Sequence, residues 1–287
     1  MRFSVIVPVY QHWLLVPKLL ACLERQEFPQ DRFETLLVDN GSSDVIVPKD
    51  MPPRTHILHC PKPGSYAARN HGVREAKGAF LAFTDADCMP SPQWLRALAD
   101  AAEQGTAGET LLAGSVEIVP VSQRPGPCEI YDIVKGIPQS RYVGRGYAAT
   151  ANLAVSRAVF DELNGFDESR FSGGDADFCR RAGSKGHPIL YVPEARVDHP
   201  ARASWAEITT KARRVKGGQV MAGAPARKRQ WMLATLLPPV RGAWHFLRAD
   251  RHSLKYRFIA IGVLLRIWLV EVHELCRLLF GGAPERR

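Results

Sequence analysis

Residues 3–9 read Phe-Ser-Val-Ile-Val-Pro-Val, a β-branched apolar run without the polar alternation of a half-wet strand. Such a run belongs to a strand buried on both faces, as in a parallel sheet covered by helices. The pattern then changes period. Across residues 14–25 the apolar positions Leu15, Leu19, Leu20 and Leu23 recur at helical spacing. Residues 33–38 form a second buried run that ends in Asp39-Asn40-Gly41-Ser42-Ser43-Asp44. A short third strand is expected at 55–59 and a helix at 66–76, stopped by Gly78. A fourth strand at 79–84 ends on Asp85, and a helix at 92–103 carries proline near its first turn. Alternating strands and helices predict βαβ units with right-handed crossovers and a mostly parallel central sheet flanked by helices. A chain of 287 residues that is 46% apolar has room for one α/β domain and an appendage.

The second half is less regular. Residues 111–119 and 148–155 read as strands, and 156–163 as a helix closed by Asn164-Gly165. A helix at 176–182 is entered through Ser172-Gly173-Gly174-Asp175. Short strands are expected at 188–191 and 195–197, the latter leading to Asp198-His199. Residues 120–146, rich in Pro, Gly and Arg, suggest a long functional loop or an acceptor-side insertion.

Six widely spaced cysteines form no C-x-x-C pair and no zinc-spaced cluster. Scattered buried thiols in a reducing compartment are the simpler reading. With no secretory pattern before the first strand, the expectation is a cytoplasmic protein. Residues 1–200 hold 21 basic and 24 acidic side chains, whereas residues 201–257 hold 13 basic and 2 acidic. That local excess suits a diphosphate, anionic lipid or nucleic acid, or only a solvated face.

No G-x-G-x-x-G follows the first strand and no G-x-x-x-x-G-K-[ST] occurs, which disfavours dinucleotide and P-loop enzymes. What the sequence offers instead is carboxylates at strand ends. Ligands of open α/β sheets sit at the carboxyl ends of the strands, where Asp39 and Asp85 both fall. Asp85-Ala86-Asp87 supplies two hard oxygen ligands one residue apart, a set suited to Mg²⁺ or Mn²⁺ bridging protein and diphosphate.

Taken together, SVIVPVY at 4–10, LLVDNGSSD at 36–44, GSYAARNHGVREAKGAFLAFTDAD at 64–87, NGFDESRFSGGDADFCRRAG at 164–183 and YVPEARVDH at 191–199 resemble the family 2 glycosyltransferases of GT-A fold. The resemblance covers roughly residues 3–220. It implies a Rossmann-like catalytic domain at 1–220 and leaves 221–287 as a basic, amphipathic helical extension. It further implies metal-dependent inverting transfer of a sugar from a nucleotide-diphosphate sugar to a hydroxyl acceptor, on a glycan or lipid carrier, in polysaccharide or glycolipid assembly. UDP or dTDP donors are expected ahead of GDP. Pro8 and Tyr10 would border the base and Asp39 would accept its imide N–H. Arg69 would lie near base or diphosphate, and Asp85 near the ribose. Asp87 and His199 would hold the metal. Asp175 would be the general base, ahead of Asp177. The chain departs from the family twice: Asn40 stands where a second Asp is usual, and Gly174 where Glu usually precedes the base. Lys211, Arg213 and Arg214 are basic residues placed to hold the diphosphate, or to form a basic helix face.

Residues 258–280 are apolar but interrupted by Arg266, Glu271, Glu274 and Arg277, too short an uncharged run to span a membrane. On a helical wheel Phe258, Ile261, Leu264, Leu265, Trp268, Leu269, Val272, Leu275 and Leu279 share one face. With Arg248, Arg251, Lys255 and Arg257 ahead of it, this segment packs on protein or makes peripheral membrane contact through 248–280 at the inner membrane face. A nucleotidyltransferase and a non-catalytic nucleotide-sugar binding module are the rival readings. A nucleic-acid partner would explain the 201–257 charge but not the strand-end carboxylates, so none is expected.

Overall fold

β1 (Phe3–Val9) is enclosed along its length except at Pro8. Its odd positions Phe3, Val5, Val7 and Val9 enter one apolar cluster and Ile6 enters another, as the two-residue period of a strand dictates. β2 (Phe33–Asp39) lies beside it in parallel, with Asp39 opposite Val9. β3 (Thr55–His59) pairs in parallel with β2, and β4 (Phe80–Phe83) in parallel with the other edge of β1. Leu19, Leu20 and Leu23 of α1 (Val16–Glu24) and Trp94, Leu95 and Leu98 of α3 (Trp94–Gln104) cover one face. The other face is covered by Tyr66, Ala68 and Val73 of α2 (Ser65–Glu75).

These residues belong to a computed structural model that describes residues 1–104, 108–221 and 225–285. Residues 222–224, 286 and 287 of the expected extension lie outside the described residues. The remaining strands are β5 (Met89–Pro90), β6 (Leu111–Val119), β7 (Leu153–Ser156) and β8 (Ile189–Pro200). The sheet order is β3-β2-β1-β4-β7-β6-β8-β5. The first four strands in that order are parallel. β7 runs antiparallel to β4 and β6, and β5 antiparallel to β8.

Three expectations are corrected here. Pairing in the 148–155 segment begins only at Leu153. The preceding turn is fixed by the Asn152 side chain, which donates to Ser115 O (2.8 Å) and Ala195 O (2.7 Å) and accepts from Trp94 Nε1 (2.8 Å). The two short strands at 188–191 and 195–197 are one strand, β8. Pro193 is tolerated because β5 covers β8 only at Val197 and Asp198, and edge backbone needs no ladder N–H. Residues 120–146 are not one loop: they contain α4 (Pro127–Lys135) and α5 (Gln139–Val143). Pro127 suits a first helical turn. The Glu129 carboxylate fixes the entry by accepting from the amides of Val121 (2.9 Å) and Gly126 (3.2 Å) and from the Ser122 hydroxyl (2.6 Å).

The chain divides into two compact units. The sheet belongs to the first, made of Met1–Glu117, Ile137–Ser169 and Gly174–His199. That unit also holds α6 (Arg157–Glu162) and α7 (Gly174–Ser184). The second is helical: α4 with α8 (Trp205–Met221), α9 (Pro225–Leu236), α10 (Val240–Leu247) and α11 (Leu254–Leu279). Its core joins Ile130, Tyr131, Val134, Ile208, Phe246, Val263 and Ile267.

In α11 the buried stripe is Ala260, Val263, Ile267, Glu274, Leu275 and Leu278. Of the face expected from the helical wheel, only Leu275 is fully buried, and Phe258, Leu265, Leu269 and Leu279 are exposed. The helix is apolar on more than one side, so periodicity alone could not choose the packed stripe. Glu274 is accommodated inside by two bonds from Arg277, at 2.6 and 2.8 Å. None of the described helices is long and apolar enough to cross a membrane.

Candidate active site

Parallel register brings Pro8, Tyr10 and Asp39 to the same carboxyl edge, since Pro8 lies opposite Val38 and Val9 opposite Asp39. Tyr10 is exposed, Pro8 half-buried and Asp39 buried. Asp39 Oδ1 accepts from the Trp13 indole (3.0 Å) and Oδ2 from the Gly41 amide (3.1 Å). His59 Nδ1 lies 3.2 Å from Oδ2. Burial pushes this carboxyl up, but the bonds from Ser42, Trp13 and Gly41 outweigh it and hold it below its ordinary value. Asn40 has a distinct structural task. Its Nδ2 donates to Cys60 O (3.2 Å) and Lys62 O (2.7 Å), while its Oδ1 accepts from the Gly64 amide (2.7 Å). An aspartate could not donate either of the first two bonds.

Ala86 is buried in the apolar cluster beneath the sheet, while Asp85 and Asp87 on either side of it remain partly exposed. The antiparallel register of β5 with β8, Met89 opposite Asp198, carries the preceding residue Cys88 toward His199. Ligand atoms of Asp85, Asp87, Cys88 and His199 consequently all lie within 4.8 Å of one another. His199 Nε2 is 3.7 Å from Asp87 Oδ2. Two carboxylates and an imidazole make a donor set that fits Mg²⁺ or Mn²⁺. Burial, reinforced by the charges of Asp87 and Asp85, raises the Cys88 thiol well above its usual range, so it stands beside that set as a neutral group.

A second carboxylate is tied to this centre. Arg69, on α2, places Nη2 2.5 Å from Asp85 Oδ1. Its guanidinium lies 5.7 Å from the centre of the Tyr66 ring. The Tyr66 hydroxyl donates to Asp175 Oδ1 across 3.3 Å. Asp175 lies in the first turn of α7 and accepts from the Ala176 amide at 2.8 Å. Burial raises the Asp175 carboxyl above its ordinary value despite the bonds and the positive charge of Arg69 that favour ionisation. Gly174 makes this contact sterically feasible: a Cβ there would come within 2.6 Å of Tyr66 Cε2. Asp177, the rival base, is paired instead with Arg181 at 3.0 Å.

Arg69, Asp85, Asp87, His199 and Asp175 are thus linked in one constellation. Lys211, Arg213 and Arg214 lie on α8 in the helical unit. Lys211 lines a pocket there with Asp132, Lys135, Arg202 and Glu271. Burial and the charges of Arg202 and Lys135 push its amine well below the usual range. Sequence reasoning missed Trp13, His59 and Tyr66, whose partners are 20 to 109 positions away in the chain. It also passed over Cys88, although that residue directly follows the Asp-x-Asp.

Four parallel strands extended by antiparallel ones, with Asp85, Asp87 and His199 gathered beside them, have the fold of a GT-A glycosyltransferase. Residues 4–163 match the model of Glycosyl transferase family 2, and the chain belongs to that family. It is 32% identical over 244 residues to Glycosyltransferase AglE of Haloferax volcanii, spanning 80% of this chain and 74% of that protein. Two solved structures share the fold at 17% identity. Mannosyltransferase PcManGT from Pyrobaculum calidifontis, in complex with GDP-Man and Mn²⁺, has a TM-score of 0.58 over 96% of this chain and 87% of that one. S. aureus TarS 1-349, in complex with UDP-GlcNAc, has a TM-score of 0.55 over 98% and 93%. The protein is a glycosyltransferase.

Proposed function

We propose that the enzyme transfers a sugar with inversion from a nucleotide-diphosphate sugar to a hydroxyl acceptor, with Asp175 as general base. The observation that carries this reading is the link from Asp175 through Tyr66 and Arg69 to the Asp85, Asp87 and His199 cluster. It joins a carboxyl of raised proton affinity to a cation-competent set. Asp87 and His199 would hold Mg²⁺ or Mn²⁺, and Asp85 would approach the ribose. When bound, the ion would offset charge gathering on the departing diphosphate.

Asp175 takes the proton of the attacking hydroxyl, opposite the diphosphate. Its raised affinity for protons makes it a stronger base once ionised. Tyr66 holds one carboxylate oxygen, which leaves the other for the acceptor. Pro8 and Tyr10 border the base. Asp39, held ionised by its bonds, would accept the imide N–H of the base, and UDP or dTDP donors are expected ahead of GDP. Relatives of this fold carry either UDP-GlcNAc or GDP-Man. In this reading residues 1–220 catalyse, and residues 221–287 attach the enzyme to a membrane face, next to a glycan or lipid-linked acceptor in polysaccharide or glycolipid assembly.

A thermal-shift screen of UDP-, dTDP- and GDP-sugars with and without Mn²⁺, followed by identification of the released nucleotide, tests the reading. A donor that binds the folded state raises the melting temperature. Release of the nucleoside diphosphate is expected. Release of pyrophosphate would establish a nucleotidyltransferase, and donor binding without turnover a binding module.

A further inference from the structure

The helical unit carries a surface that neither the transfer chemistry nor its own core uses. Between α9 and α10 the chain turns through Leu236-Leu237-Pro238-Pro239-Val240. Trp231, Leu233, Leu236, Leu237, Val240 and Trp244 are each between 44 and 69% exposed. Monomeric soluble proteins seldom leave so many large apolar side chains together in water.

The residues are also layered. Leu236, Leu237 and Val240 form the tip. Trp231 stands five residues back on α9, about 7 Å along the axis, and Trp244 one turn into α10, about 6 Å along it. Farther from the tip come Lys228 and Arg229 on α9 and Arg248 on α10, with the Arg248 guanidinium 4.5 Å from the Trp244 ring centre, while Arg241 directly follows Val240. An apolar tip, an aromatic band and a basic collar match the acyl, interfacial and headgroup layers of one leaflet. The backbone suits low polarity as well. Pro238 and Pro239 have no N–H to desolvate, and the amides of Val240 and Ala243 are bonded to Pro238 O (2.8 Å) and Pro239 O (2.9 Å).

Charge selects the occupant. From Pro225 to Arg248, across α9 and α10, the sequence has five basic residues and no acidic one. A second copy docked on this face would bring like charges together, whereas an anionic lipid surface complements them. We infer that the tip from Leu236 to Val240 is a monotopic anchor that enters one leaflet of an anionic membrane. This rests on the membrane contact proposed above, which it moves from 248–280 to a different segment, and it is independent of the transfer reaction.

The test uses the full chain with vesicles of phosphatidylcholine alone or mixed with phosphatidylglycerol. Flotation should show binding to the anionic vesicles that weakens with salt. Leu236→Ser with Leu237→Ser should lower partitioning roughly tenfold or more, while Leu265→Ser with Leu269→Ser on α11 changes it by less than about threefold. Val240→Asp supplies a second tip variant. Hydrogen exchange on the unmodified protein should show vesicle-induced protection at residues 233–241. Absence of flotation, equal flotation of the tip variants, protection only on α11, or a dimer that the tip variants dissociate would each overturn the anchor. Donor turnover measured without vesicles reports separately on the transfer reading.

Discussion

Arg69 Nη2 and Asp85 Oδ1 meet at 2.5 Å, a nearly enclosed guanidinium (4% exposed) against a carboxylate that is 34% exposed. The pair binds α2 to the first acid of the Asp-x-Asp, so the loop that would face a cation is braced from behind. Arg69→Gln removes the charge but keeps a donor. It should weaken metal-dependent donor binding roughly tenfold, the worth of a hydrogen bond to a charged group. Calorimetric titration of donor in the presence of Mn²⁺ measures it, and an unchanged affinity would detach Arg69 from the site.

Gly174 is the chain's departure from the usual acidic residue, and the Tyr66 ring accounts for it. Any side chain at 174 must displace that ring. Gly174→Ala should therefore cost about 1–3 kcal/mol. Gly174→Glu should lower turnover instead of restoring a family-like site. In a double-mutant cycle with Tyr66→Ala the costs should be non-additive, because the clash is removed with the ring. Urea unfolding of the four proteins supplies the cycle.

Asn40 gives a parallel case at the other strand end. Asn40→Asp turns two donated bonds into a carboxylate facing the carbonyls of Cys60 and Lys62. A loss of about 1–3 kcal/mol is expected at neutral pH, easing in acid as the new carboxyl is protonated. Thermal melts across pH would show it.

How much of this could be read from the sequence follows from the range of each interaction. β1 and β2 were legible because an unbroken apolar run has few other homes, and Asp39 and Asp85 because each directly ends such a run. β8 was read as two strands because Pro193-Glu194 interrupts it, and only its edge position makes that harmless. α4 was hidden by the Pro and Gly around it, although Pro127 and Glu129 are start signals. Trp13 and Tyr66 carried no local signal at all. Their roles come from partners that the sheet and α7 bring to them.

Asp175 yields a pH prediction with opposite signs for activity and stability. Burial raises its carboxyl in the folded protein, so the native state holds that proton more tightly than the unfolded chain. Ionising it therefore costs stability, which is lost as pH rises from the unfolded value through the raised one. Asp175→Asn should be as stable as the parent in acid and at least as stable at neutral pH. Turnover in the parent should rise with pH through the same window. In the variant it should fall by roughly 10²–10⁴. Near-normal turnover would move the base elsewhere.

The most direct test of the central claim is Mn²⁺ binding followed by electron paramagnetic resonance on the parent and on Asp87→Asn with His199→Ala, with and without a nucleotide-sugar donor. The parent should bind the ion, more tightly with donor than without, and the double variant should lose both the ion and the donor enhancement while its circular dichroism is unchanged. Ion binding in the folded double variant equal to the parent's, or donor binding in the parent indifferent to Mn²⁺, would contradict the account.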